Sequence, residues 1–304
     1  MTNFDPEKYK IFECITGSRL YGTYTPDSDY DYRGICIPPL EVLLDPFMGF
    51  DQKDSGFEEA DKTIYALGKF FKLCADSNPN IIELLFTPEK NILYKTKAWD
   101  NIIENKNFFI SKKAKHTFLG YAWTQINKVK THREWFLNPP KEKPTRKMFG
   151  LTDTPTISGE GLQAVSNIKF NLFIESFRDE IKRELEYRDA KKKWDNYYSW
   201  VKNRNPQRKL LEEKFGYDCK YILHVFRLLE EGKQLLLNGK IEFPLQNAKE
   251  LLEIKNGKYT YDEAIEKVSN IEKEFEYLYE SSKIPFRADK KALTKIYFDV
   301  INIS

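Results

Sequence analysis

The sequence predicts an α+β protein: an N-terminal core with a mixed β-sheet and flanking helices, then a mostly α-helical C-terminal region. Three observations carry this. Over roughly the first 100 residues, short apolar runs alternate with turn chemistry at Pro26, Pro38-Pro39, Asp45-Pro46 and Asp54-Ser55-Gly56. Beyond them, apolar residues recur at three- and four-residue spacing near 112–136, 160–201, 206–237, 246–254 and 261–280, the period of helices with one buried face. Between the first two of these segments, residues 138–161 lose the period and collect Pro, Gly, Thr and charge, which marks a long loop. A chain of 304 residues suits about two domains. The expected division is a core of 1–110 and a helical substrate-binding region of 111–304.

Taken in order, Ile11, Phe12, Cys14 and Ile15 read as a first strand, which Thr16-Gly17-Ser18 turns toward a helix start. Gly17 allows backbone N–H groups to approach a phosphate, and the Ser18 hydroxyl adds a donor. Tyr30, Tyr32, Ile35 and Ile37 predict a second strand. Asp29 and Asp31, two positions apart, then point to one face. Converging carboxylates suit Mg2+ or Mn2+, because magnesium takes oxygen ligands and is usually held by one or two carboxylates plus substrate phosphates. Two such ions clamp the attacking and leaving oxygens of a displacement at phosphorus. The competing reading makes these aspartates an ordinary polar turn after Pro26. Against it stand the Gly-Ser turn eleven residues upstream of Asp29, the strand signals on both flanks, and the closing Arg33-Gly34.

The stretch from Gly17 to Gly34 resembles the active-site signature of the DNA polymerase β-like nucleotidyltransferases, most closely the bacterial and phage RNA-repair-pathway family. That family has a GSRxYG turn followed by SDxDxRG, matched by Gly17-Ser18-Arg19, Tyr21-Gly22, Ser28-Asp29, Asp31 and Arg33-Gly34. Its pattern continues through an acidic residue, here Asp61, and NPNxxELL, here Asn78-Pro79-Asn80 to Glu83-Leu84-Leu85. A later segment matches at Asp218, Lys220, His224 and Arg227. The resemblance implies a third carboxylate, for which Asp61 is the choice and Glu59, of the same strand parity, the fallback. Asp61 equally suits the N-cap of a helix carrying Ile64, Leu67, Phe70, Phe71 and Cys74.

Lys220, His224 and Arg227 share a helical face and suit triphosphate or RNA phosphates, although a satisfied, partly buried histidine explains His224 as well. His116 and His132 stand on basic helices and take no catalytic role. No apolar run approaches the ~18 to 20 residues a membrane helix needs, and the N-terminus lacks signal-peptide shape, so a cytoplasmic protein without a membrane partner is expected. Four widely spaced cysteines show no C-x-x-C pair and read as buried thiols. The net charge is +3, but residues 112–147 hold ten Lys or Arg against Glu134 and Glu142, interleaved with Tyr121, Trp123, Trp135 and Phe136. A second basic stretch, 182–214, contains Trp194, Tyr197, Tyr198 and Trp200. Cations beside ring faces are what single-stranded or looped RNA needs, although lysines solvating helices whose aromatics fill a core give the same pattern.

Together these readings lead to an expected reaction: an acceptor hydroxyl attacks the α-phosphate of a nucleoside triphosphate and pyrophosphate leaves. Asp29 and Asp31 would hold the metal, Asp61 would complete the metal site or accept the proton, Gly17 and Ser18 would grip the triphosphate, and Arg19 and Arg33 would neutralise charge, with a structural role the alternative for Arg33. The expected acceptor is RNA, tRNA included. A protein or small-molecule acceptor, and a catalytically silent nucleic-acid-binding module, are the alternatives.

Overall fold

The structure, a computed structural model, describes residues 4–45, 47, 49–55, 61–155, 158, 160–161 and 175–303. The chain forms two compact units, one of residues 1–129 with 219–304 and the other of residues 130–218. In the first, five strands form one sheet in the order β3-β4-β2-β1-β5. They are β1 (Lys10–Thr16), β2 (Asp31–Cys36), β3 (Gln52–Asp54), β4 (Lys62–Ala66) and β5 (Ile92–Lys95). The sheet is mixed: β2 and β4 run parallel, and the other pairs are antiparallel. Strand β1 sits between β2 and β5, and its alternating burial puts Phe12 and Cys14 in the interior. Phe12 stacks on Trp99 at 3.8 Å, and Phe70 packs against both Trp99 and Phe109.

The helices of this unit are α1 (Gly17–Tyr21), α2 (Leu40–Leu43), α3 (Leu67–Ala75), α4 (Pro79–Ile82), α5 (Lys97–Glu104) and most of α6 (Lys113–Leu137). The remaining unit holds the end of α6, then α7 (Glu175–Asn203) and α8 (Pro206–Phe215). The chain then returns to the sheet-bearing unit with α9 (Cys219–Asn238), α10 (Ala248–Lys255), α11 (Tyr261–Ser281) and α12 (Lys290–Ile303). All four cysteines are buried and free; burial pushes the Cys36 thiol up to about 12. Among the described residues no helix is long and apolar enough to cross a membrane.

Three expectations need correction. The helix expected to begin beside Asp61 begins at Leu67 instead. Residues Lys62–Ala66 form β4, where the β-branched Thr63 and Ile64 and the aromatic Tyr65 favour a pleated surface over a helix. Asp61 is therefore not an N-cap; Ala66 occupies that position, without a side-chain cap bond. Segment 206–237 is two helices, separated at Gly216, whose φ of 78° ends α8. Finally, Asp29 lies just before β2, whose first residue is Asp31.

Candidate functional site

The site begins where β1 runs into α1. Gly17 adopts φ 64°, and a Cβ built there would fall 1.8 Å from Asp31 Oδ2. The Asp31 carboxylate thus rests against the Gly17-Ser18 turn, in space that only glycine leaves open. Thr16 pairs with Asp31 in the β1–β2 register, and its hydroxyl donates to the Asp31 carbonyl at 3.4 Å. Helix α1 lasts a single turn because Gly22, at φ 81°, closes it with a bond to the Ser18 carbonyl.

Asp29 is carried on the loop between α1 and β2, and Arg19 braces that loop. Its guanidinium lies 3.6 Å from the Tyr30 ring centre and 5.2 Å from that of Tyr24, and it donates to the Ser28 carbonyl at 2.9 Å. Thr25 N–H donates to Ser28 Oγ at 2.8 Å, tightening the turn at Pro26. Asp29 itself is exposed.

The parallel β2–β4 register pairs Tyr32 with Lys62, so Asp61 precedes β4 as Asp31 precedes Tyr32. Tyr32 N–H donates to the Asp61 carbonyl at 2.7 Å, holding the two strand starts together. The exposed Asp61 carboxylate meets Arg33 through two bonds, of 3.1 and 3.4 Å, and Arg33 also donates to the Tyr32 carbonyl. Burial and the Asp61 charge push the Asp31 carboxyl above its ordinary range; Arg33 and Lys220 pull it down, and Asp29 adds to the push. Gly17, Ser18, Asp29, Asp31, Asp61, Arg33 and Lys220 thus share one neighbourhood. Glu59 lies outside the described residues.

The Asp31 carboxylate beside the Gly-Ser turn and the exposed Asp29 two residues before it supply oxygen donors of the kind a hard divalent cation takes together with phosphate oxygens. Among the described residues no group of three or more His, Cys, Asp or Glu is assembled to hold a metal ion. Asp61 is turned to Arg33 instead.

The cluster of Lys220, His224 and Arg227 divides along α9. Lys220 is exposed and acts on Asp31, whereas His224 is half-buried. Arg227 is buried in a network that sequence reasoning missed. Its Nη1 donates to both Glu231 oxygens at 2.9 and 3.0 Å and pairs with Glu83 at 3.4 Å, while its guanidinium lies 4.5 Å from the Tyr21 ring centre. Tyr21 in turn donates to Glu83 at 3.0 Å. Burial and Glu231 raise the Glu83 carboxyl well above its usual range, and burial raises Glu231 as well. Although burial opposes its charge, Glu231, Tyr21 and Glu83 keep Arg227 protonated. Arg227 therefore ties α9 to Tyr21 at the end of α1, with its guanidinium engaged in the interior by Glu83 and Glu231. The available signal was the i,i+4 pair Arg227–Glu231 inside an apolar stretch of Phe226, Leu228 and Leu229.

The NPN motif has a structural role here: Pro79 opens α4, and the Asn78 side chain accepts from Asn80 N–H. Asp218, buried, pairs with Arg208 at 3.2 Å.

Residues 7–145 match the model of the RNA repair pathway DNA polymerase beta family, so the resemblance carried by the motifs holds for this part of the chain. The chain is also similar to an uncharacterized 38.9 kDa protein encoded in the nrdC–mobD intergenic region of Enterobacteria phage T4. The two are 25% identical over 283 residues, covering 83% of this chain and 84% of the phage protein, so the likeness extends into the helical region. No solved structure matches the chain.

Proposed function

We propose that the protein transfers a nucleoside monophosphate from a nucleoside triphosphate to a hydroxyl on RNA, in an end-modification or repair reaction. The observation that carries this reading is the Asp31 carboxylate seated on the Gly17-Ser18 turn with Asp61 beside it across the parallel register. The match to a polymerase β-like family supports it.

Asp29 and Asp31 would hold Mg2+ or Mn2+, which when bound neutralises phosphate charge as a Lewis acid. Gly17 and Ser18 offer a backbone N–H and a hydroxyl to the triphosphate. The acceptor oxygen forms a bond to the α-phosphorus as the bond to the bridging oxygen breaks, and pyrophosphate leaves. We assign the proton of the incoming hydroxyl to Asp61. Arg33, now paired with Asp61, and Lys220, which already acts on Asp31, supply positive charge to the displaced phosphates. Positioning and charge stabilisation provide most of the rate in such transfers.

The test is incubation with each α-labelled nucleoside triphosphate, Mg2+ or Mn2+, and a pool of RNA, tRNA and protein. Label on RNA is the expected result. Label on protein or a small molecule would transfer the reading to nucleotidylation of that acceptor. No label under any condition, with RNA still bound, would leave a silent binding module.

A further inference from the structure

The unit formed by residues 130–218 has a charge and an aromatic surface of its own. It holds nineteen Lys or Arg against fourteen Asp or Glu, a surplus of five, whereas the whole chain carries only +3 and the remainder is net acidic. Three of the chain's five tryptophans lie in it. Trp194, Tyr197 and Trp200 follow one another at three-residue spacing on α7, with ring centres 6.0 Å apart from each to the next. Trp135, near the end of α6, meets Trp200 at 5.5 Å and Tyr197 at 6.0 Å, and His132 stacks on Trp135 at 5.5 Å.

These rings do not form a sealed core. Each is half-buried, while the buried apolar residues of this unit, among those described, are Leu151, Ile181 and Tyr217. Five rings on the seam of two helices keep part of their surface in water, which leaves ring area for a ligand to cover. The cations sit alongside them. Lys191, Lys192 and Lys193 are exposed immediately before Trp194, and Lys202 is exposed just beyond Trp200. Arg204, paired with Glu212, lies 4.5 Å from the Trp200 ring centre, and its Nε has no hydrogen-bond partner. From Trp194 to Trp200 the helix rises roughly 9 Å, room for two or three nucleotides at about 3.4 Å each.

We propose that this unit is a platform for single-stranded RNA, whose bases stack on the Trp135–Trp194–Tyr197–Trp200 rings while Lys191–Lys193 and Lys202 meet its phosphates. The proposal rests on the RNA-acceptor reading for its choice of nucleic acid, but needs no catalysis.

The experiment is fluorescence anisotropy of the full chain with a labelled 12-nucleotide oligo(A), without nucleotide or metal, at several salt concentrations. Wild type should bind. Replacing Trp194 and Tyr197 with alanine should weaken binding by ~10-fold or more per stacked base. Replacing Lys191, Lys192 and Lys193 with alanine should flatten log K against log salt by up to ~0.7 per lost contact. Wild-type affinity in the aromatic variant, equal affinity for a duplex, or no binding by wild type at low salt overturns the proposal. If circular dichroism shows the aromatic variant unfolded, tryptophan emission of wild type decides: quenching on titration supports stacking, and unchanged emission overturns it. RNA binding without nucleotide transfer would sink the proposed function alone. Transfer to RNA with binding undisturbed in the aromatic variant would sink the platform alone.

Discussion

Two clusters in the sheet-bearing unit are assembled from the same groups, two carboxylates and a guanidinium, and come to opposite ends. Asp31, Asp61 and Arg33 lie at strand starts open to water, with the Asp61 side chain 62% exposed. Glu83, Glu231 and Arg227 lie in the interior, where none exceeds 6%. At the open site burial of its carboxylate, followed by the Asp61 charge, leaves Asp31 raised, a condition that a cation from solution would relieve. In the sealed network burial and then Glu231 raise the Glu83 carboxyl, which favours its neutral form, and the Tyr21 hydroxyl donates to it. Solvent access, more than the inventory of charges, separates the proposed binding site from a structural tie.

The largest expected effect tests the open cluster. Asp29→Ala or Asp31→Asn should lower nucleotidyl transfer by at least ~10² to 10³, the scale of losing a preorganised charge contact. Without metal, Asp31→Asn should leave the melting temperature unchanged or raised, because the substitution removes a partly buried charge and its repulsion from Asp61 and Asp29. Wild-type transfer by either variant would break the comparison at its open end. The sealed cluster should respond in stability. Arg227→Met leaves two buried carboxyls without their cation and should cost ~3 to 5 kcal/mol in urea unfolding. Adding Glu83→Gln and Glu231→Gln should recover most of that loss.

How much of this was legible follows from how local each feature is. The Gly17 turn and the strands beside it are encoded within residues 10–36 and stand in the structure as read, except that β2 begins only at Asp31 and leaves Asp29 on the loop before it. Asp61 was ambiguous because an acidic residue before an apolar run suits a helix cap as well as a strand start. The β-branched Thr63 and Ile64, paired to β2, resolve it. Strands β3 and β5 and helices α5 and α12 escaped because three- and four-residue strands carry too little period, and α12 owes its place to packing against α3 and α5. Arg227 shares a face with Lys220 and His224, as the spacing indicated. That face passes from the surface into the interior, and only tertiary contact to Glu83 and Tyr21 shows where it turns inward.

A smaller effect separates the clusters by pH. Glu83 and Glu231 are raised to about 8 and about 6, against ~4.3 for an unfolded glutamate. Between those limits the folded chain binds more protons than the unfolded chain, so stability is greatest at the acidic end and falls as pH rises toward 8. The slope is up to ~1.4 kcal/mol per pH unit for each extra proton. The groups facing the pair are Arg227, Tyr21 and, at longer range, Glu230 and Arg33. Glu83→Gln should flatten the upper part of this dependence, between about pH 6 and 8, in urea titrations from pH 5 to 9. An unchanged profile would mean that the network is not where the proton resides.

The smallest effect concerns Arg19, which the sequence assigns to the triphosphate and the structure engages with the loop that carries Asp29. In Arg19→Lys the planar guanidinium, which reaches the Tyr30 ring and the Ser28 carbonyl together, is replaced by a compact ammonium that cannot serve both contacts in the same geometry. The exposed-site value of such a cation–π contact is ~0.5 to 1 kcal/mol, so the melting temperature should fall by only a few degrees. If Arg19 acts by bracing the loop, the variant should need several-fold more Mg2+ for half-maximal transfer, with KM for the nucleotide nearly constant at saturating metal. If it grips the triphosphate, KM should rise instead and the metal requirement should stay put. Titrating each ligand at a saturating level of the other distinguishes the two, and a KM effect alone would return Arg19 from the scaffold of the open site to its ligand-binding surface.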